Sequence, residues 1–144
     1  MRAALAARLA SACAATAAAD YKSVEDNAAV LYDAPSRAVK PRYGVSKHYP
    51  LEVIVNREAW VKVCDDAGAL AWVERKSLDA GRMVLVTASL AEARQRADDT
   101  APAAFGAAQN VVLELVEIAP GGWLRVCHAD GATGYVRAAQ VWGH

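Results

Sequence analysis

The chain of 144 residues has no surplus of charge: 16 basic side chains stand against 16 acidic ones. It therefore lacks the basic footprint that nucleic-acid binding requires. The one basic stretch, Arg37, Lys40, Arg42 and Lys47 with His48 beside it, has no helical or aromatic interleaving and reads as a solvated loop. Cysteines number three and histidines three, with no CxxC and no paired-histidine spacing, so a metal site finds no ligand set. There is no G-x-S-x-G and no phosphate loop, and the GxxG at 131–134 reads as a hairpin turn. Cys127 and His128 are neighbours, but successive strand residues point to opposite faces, which denies them the geometry of a Cys–His catalytic pair. Asp65-Asp66 and Asp98-Asp99 fall in turns, where aspartate caps and solubilises. Beyond the amino end no apolar run approaches the roughly 18 residues of a membrane span. Enzyme, metal, cofactor, nucleic acid and transmembrane readings all lack their residues.

Alanine is what the chain has in excess. It inflates the hydrophobic share of 55% and is concentrated at the start. The opening MRAALAARLASACAATAAAD has Arg2 and Arg8, an apolar run from Leu9 and small residues before Asp20. This is the pattern of an export signal over residues 1–19, with Ala17-Ala18-Ala19 as the A-x-A cleavage site. The competing reading is an alanine-rich helix. Cys13 lacks a leucine three places upstream, where Ala10 stands, so a lipid anchor is not expected. Export implies a periplasmic or secreted location, with Cys64 and Cys127 left in the mature chain.

The main fact is a repeat. Trp60–Glu74 reads WVKVCDDAGALAWVE and Trp123–Arg137 reads WLRVCHADGATGYVR. The two share Trp, Val, Cys, Gly, Ala and Val at the same places. PLEVIV (50–55) matches VLELVE (112–117), and NAAVLYDAPS (27–36) aligns with LAEARQRADD (90–99) by position. One residue is inserted in the second copy before Trp123, at Pro120-Gly121-Gly122, a strong turn signal. Each copy alternates apolar and polar residues with period two, then turns at DDAG or HADG, then alternates again. That pattern is a hairpin. Four or five short strands per copy fit a small β-barrel. SLAEARQRADD could suggest a helix, but the aligned segment contains Pro35, which argues for strand then loop.

At these residues the chain resembles the bacterial SH3 domain, whose hallmark is G-W-x-K-V, a turn with glycine, then G-W-V and a closing segment. The first copy has Trp60-Val61-Lys62-Val63, Gly68, Ala71-Trp72-Val73 and Leu78. The second has Gly122-Trp123-Leu124-Arg125-Val126, Gly131, Gly134-Tyr135-Val136 and Val141. Ala59 and Ala71 stand where glycine is usual. The resemblance implies an all-β fold of two tandem small SH3-like β-barrels, over 20–80 and 83–144, joined near Asp79–Met83. It also implies a non-enzymatic binding module for a peptide, a peptidoglycan stem or a periplasmic protein, with no cofactor.

The aromatic residues mark the expected site. Trp60 is placed opposite Val61 and Val63, so it faces outward if the valines fill the barrel. Tyr32, Tyr43 and Tyr49 are expected in loops. The site expected from this is Tyr32, Trp60 and Trp72, with Arg42, Lys47 and Tyr49 from the basic loop beside them, suited to a carboxylate-bearing ligand. A disulfide between Cys64 and Cys127 is not expected, because equivalent positions of a tandem pair meet only on its axis. The alternative function is an assembly protein whose two barrels pack as one rigid unit.

Overall fold

The computed structural model describes residues 19–144, so the expected export signal lies, but for Ala19, outside the described residues. The first copy forms β1 (Asp20–Val24), β2 (Ala28–Tyr32), β3 (Pro41–Ser46), β4 (Pro50–Asn56), β5 (Trp60–Cys64), β6 (Leu70–Glu74) and β7 (Leu78–Asp79). The second forms β8 (Met83–Val86), β9 (Leu90–Arg94), β10 (Ala103–Ala108), β11 (Val112–Ala119), β12 (Trp123–Cys127), β13 (Thr133–Arg137) and β14 (Val141–Trp142). The sheet orders are β3-β2-β6-β5-β4-β1-β7 and β10-β9-β13-β12-β11-β8-β14, the same path twice. All pairings are antiparallel, and no strand of one copy enters the sheet of the other.

Alternation drives the folding of each copy. In β5, Val61 and Val63 are buried while Trp60 and Lys62, which alternate with them, are half-buried. In β6, Ala71 and Val73 point in and Trp72 and Glu74 point out. The inward residues meet Leu31, Leu51 and Leu78 in one core, and their counterparts Leu113, Leu124, Val126 and Val136 form the other. Fully burying one such side chain stabilises by about 1.5–3 kcal/mol. Both long strands carry a register shift at the same place, between Val53 and Val55 and between Leu115 and Glu117. Such bulges sharpen twist and let a short sheet curl closed. His48 (φ 72°) and Asn110 (φ 73°) hold the same left-handed turn in the two copies. Each amide bonds back to the first strand of its barrel, His48 N–H to the Val24 carbonyl and Asn110 N–H to that of Val86, both at 2.8 Å.

The inserted residue falls in the β11–β12 turn, where Ala119 pairs with Trp123 around Pro120, Gly121 and Gly122. Everything before that turn is therefore offset by one residue less than everything after it. NAAVLYDAPS and LAEARQRADD, read in one register, come out one place wrong: the structural partner of Tyr32 is Arg94, since Tyr32 pairs with Trp72 and Arg94 with Tyr135. Tyr32 is the last residue of β2 and Tyr43 lies inside β3; of the three tyrosines expected in loops, Tyr49 alone is in one.

The barrels meet through a clasp. Tyr21 of β1 packs edge-on against Trp142 of β14, with centroids 5.5 Å apart at 90°. The Arg82 guanidinium, from the segment joining the barrels, lies 5.5 Å over the Tyr21 ring, and its Nη2 donates to the Gly143 carbonyl at 3.3 Å. A Cβ on Gly143 would stand 3.0 Å from the Met83 carbonyl and 3.1 Å from Pro50 Cβ, so only glycine lets the carboxyl end approach the first barrel this closely. Burial of Tyr21, and then the neighbouring Glu52, raises the Tyr21 pKa. Cys127 is a free thiol, so it makes no bond to Cys64.

Candidate binding face

The outer face of β2, β6 and β5 carries three of the expected site residues. Tyr32 and Trp72 are direct cross-strand partners, which places their Cβ atoms about 5 Å apart on one side of the sheet. Trp60 meets Tyr32 edge to face at 5.5 Å and 85°. Aromatic pairs of this kind add about 0.5–1.5 kcal/mol beyond burial. Tyr32 is only 8% exposed, so it is the wall behind the two tryptophans rather than an open platform. Trp60 and Trp72 are half-buried and present their remaining surface to solvent.

Arg42 borders this face. Its Nε pairs with Asp33 Oδ1 at 3.2 Å and its Nη1 donates to the Leu70 carbonyl at 2.7 Å. Lys47 does not join it. It follows β3 at the far end of β2 from Tyr32, where Ala28 pairs with Ser46, and lines a cleft between the barrels. A strand of five residues separates the two ends, roughly 13 Å. Tyr49 is also elsewhere: its hydroxyl donates to Asp66 Oδ1 while its ring packs on the core. Tyr43 donates likewise to Asp65 Oδ2 at 2.7 Å. Burial first, and then these hydrogen bonds to carboxylates, push both tyrosine pKa values well above the usual 10.0. The two tyrosines thus brace the β5–β6 turn, where Asp65 Oδ1 also accepts from the amides of Ala67 and Ala69.

Two cations on this face escaped sequence reasoning. Arg57, in the turn before Trp60, lies 5.4 Å over the Trp72 ring, and Lys62 is the direct partner of Trp72 on β5. The signal was available, because Lys62 sits in the same alternation that turned Trp60 outward. Next to Trp60 a depression of about 300 Å³ is lined by Glu58, Ala59, Glu74, Arg75 and Lys76.

On the corresponding face of the second barrel the tryptophan is covered, while Tyr135, the counterpart of Trp72, is half-buried. Trp123 is 6% exposed, and the Arg137 guanidinium lies 4.2 Å over its ring. Arg137 is fixed there by an ion pair to Asp99 and a bond to the Gly121 carbonyl at 3.4 Å. Arg94 stands where Tyr32 does and is tied to Glu92 at 3.1 Å and to the Ala101 carbonyl at 3.3 Å. Among the described residues no group of three or more His, Cys, Asp or Glu could hold a metal, and no helix is long and apolar enough to cross a membrane.

Two small antiparallel sheets, each around its own core and each with the same strand order and a W-x-K/R-V hairpin, define a tandem SH3-like protein. The family model for the bacterial SH3 domain matches twice, over residues 25–80 and 87–143, and the chain belongs to that family, a family of binding modules. No curated protein matches it. Solved structures similar to it include NlpC2 from Trichomonas vaginalis, with 11% identity and a TM-score of 0.42, covering 90% of this chain and 50% of that one. NlpC1 from the same organism shows 12% identity, a TM-score of 0.41 and coverages of 91% and 49%. An NlpC/P60 family protein from Bacillus cereus ATCC 10987 shows 16% identity, a TM-score of 0.39 and coverages of 87% and 56%. The chain thus spans about half the length of each.

Proposed function

We propose that the chain is an exported, non-catalytic binding module whose first barrel receives a peptide or peptidoglycan stem on the face of Tyr32, Trp60 and Trp72. In this reading residues 1–19 are removed and residues 20–80 and 83–144 are the two units. The observation that carries the proposal is the asymmetry of equivalent tryptophans: Trp60 is half-open, while Trp123 lies under Arg137. Half-exposed aromatic rings backed by a rigid sheet present a flat apolar shelf at low entropic cost. Arg42, Arg57 and Lys62 around the shelf favour a ligand bearing carboxylates. The test is titration of the mature protein with muropeptides. Trp60→Ala is expected to weaken binding about thirtyfold, the equivalent of ~2 kcal/mol for an exposed anchor. Trp123→Ala is expected to cost about 3–5 kcal/mol of stability and leave affinity unchanged. Equal loss of affinity in the two variants would reject the site. The alternative reading, an assembly unit, draws on the Tyr21–Trp142 clasp. It predicts capture of a periplasmic protein that survives Trp60→Ala.

A further inference from the structure

The cleft between the barrels has a volume of about 510 Å³. That lies inside the range of about 300–1,000 Å³ typical of small-ligand sites. Lys47, His48 and Asp79 line it from the first barrel, Glu114 and His128 from the second, and Gly81 from the segment between. Neither barrel has this site alone, since each contributes one wall. The clasp of Tyr21, Arg82, Trp142 and Gly143 fixes the spacing of the walls, which removes much of the ordering cost of binding.

Two charges of opposite sign, Lys47 and Glu114, stand on the walls without an ion-pair partner among the described residues, and both are exposed. Glu114 differs in this from its structural twin Glu52, which is buried. His128 Nδ1 lies 3.2 Å from both the amide nitrogen and Oδ1 of Asp130, so Nε2 is the ring nitrogen not engaged by Asp130. Asp79 uses one oxygen, Oδ1, on the Ala80 amide at 2.9 Å and keeps the other. A simple anion entering here meets Lys47 but is repelled by Glu114, and a simple cation meets the reverse. A molecule carrying both charges satisfies both walls, and this is how paired charges select a partner.

We propose that the inter-barrel cleft is a second binding site, for a small zwitterion the size of a short peptide. Lys47 and His48 receive its carboxylate, and Glu114 with Asp79 receives its ammonium group. The site is separate from the aromatic face and does not depend on it.

Trialanine with free ends, N-acetyl-trialanine and trialanine amide are titrated into the 15N-labelled full chain. The expected result is that trialanine shifts the backbone amides of Gly81, Ala129 and Gly131 and leaves the Trp60 and Trp72 indole signals in place. Blocking either end, or either Lys47→Gln or Glu114→Gln, should raise Kd about tenfold or more, the loss of one charge-assisted hydrogen bond. Shifts at the cleft amides that persist in Trp60→Ala support a site independent of the aromatic face. Three results would overturn the proposal: no movement of the cleft amides, movement confined to the indoles, or equal binding of the blocked peptides. The second of these leaves the aromatic face standing while the cleft fails.

Discussion

Where the first barrel has Leu31, Val45, Ala71 and Leu78 in its core, the second has Ala93, Ala107, Gly134 and Val141, each smaller. Leu124 in the place of Val61 is a change in the other direction. Ala101, in the connection between β9 and β10, is 2% exposed, and Ala104 at the start of β10 approaches Gly134. The same connection supplies Asp99, whose ion pair holds Arg137 over Trp123. One segment therefore buries an alanine and holds the arginine that covers a tryptophan. In the first barrel the core is complete without such a segment, and Trp60 stays partly open. The lesson is that a duplicated fold can keep its backbone while one copy covers the tryptophan that the other leaves partly open.

This contrast can be broken most forcefully at Leu31. Leu31→Ala should cost about 2–5 kcal/mol in the first barrel. If the second barrel is already filled from its own connection, Ala93→Leu should cost about 1–3 kcal/mol by overpacking rather than stabilise. Denaturant titration followed by hydrogen exchange resolved to each barrel reads both. A gain in stability for Ala93→Leu would show that the second core is simply underfilled.

Gly134→Ala is the next test. Its Cβ would stand 2.9 Å from Ala93 Cβ and 3.1 Å from the Arg94 carbonyl, so the change should cost about 1–3 kcal/mol. The equivalent Ala71 of the first barrel tolerates its methyl beside Leu31, and Ala71→Gly should cost about 1 kcal/mol through strand entropy and a lost buried methyl. A Gly134→Ala variant as stable as the parent protein, or more stable, would erase the distinction at this position.

Alkali should separate the barrels without any substitution. Tyr43 and Tyr49 hold their protons to higher pH in the folded state than in the unfolded one. Between those two values the unfolded chain binds fewer protons, so stability falls as pH rises. The support is fully present below about pH 10 and is lost above it. The second barrel has Phe105 and Val111 at these places and escapes the effect. Above pH 10 exchange should accelerate in β3–β6 before β10–β13, and Tyr43→Phe should reduce the difference.

The smallest effect is expected at the left-handed turn. His48 occupies a conformation that asparagine adopts more readily, and the second barrel already has Asn110 there. His48→Asn should stabilise the first barrel by less than about 1 kcal/mol, read as a small rise in midpoint. A loss would mean that His48 makes a contribution beyond its backbone.

The hairpins were legible because a period of two, a glycine turn and a second period of two are local signals, repeated twice. Trp60 and Trp72 followed from that alternation directly. The closing strands Leu78–Asp79 and Val141–Trp142 were not legible as strands, because two residues carry no periodicity and owe their form to pairing with β1 and β8. Pro35 close behind suggests a loop at Tyr32, yet β2 reaches Tyr32 and ends before the proline constrains the chain. The closure over Trp123 rests on Asp99 meeting Arg137 across a long loop. Its one trace in the sequence is that Glu74 of the first hairpin becomes Arg137 in the second. The cleft has no local signature, since its walls come from different barrels.

Pairing of the first and last strands of each barrel has a mechanical consequence. Ser23 lies opposite Asp79 and Val24 opposite Leu78. The start of β1 and the end of β7 therefore leave the sheet side by side. Tension applied through the chain loads these bonds one after another, starting at Ser23–Asp79, in the manner of a zipper and not in shear. Leu85–Trp142 and Val86–Val141 repeat the arrangement. A barrel pulled by its two ends thus yields at low force, at a rate set by its unfolding barrier. A barrel loaded instead through a ligand on β5 and β6 is pulled across its central strands, where many ladder bonds must fail together.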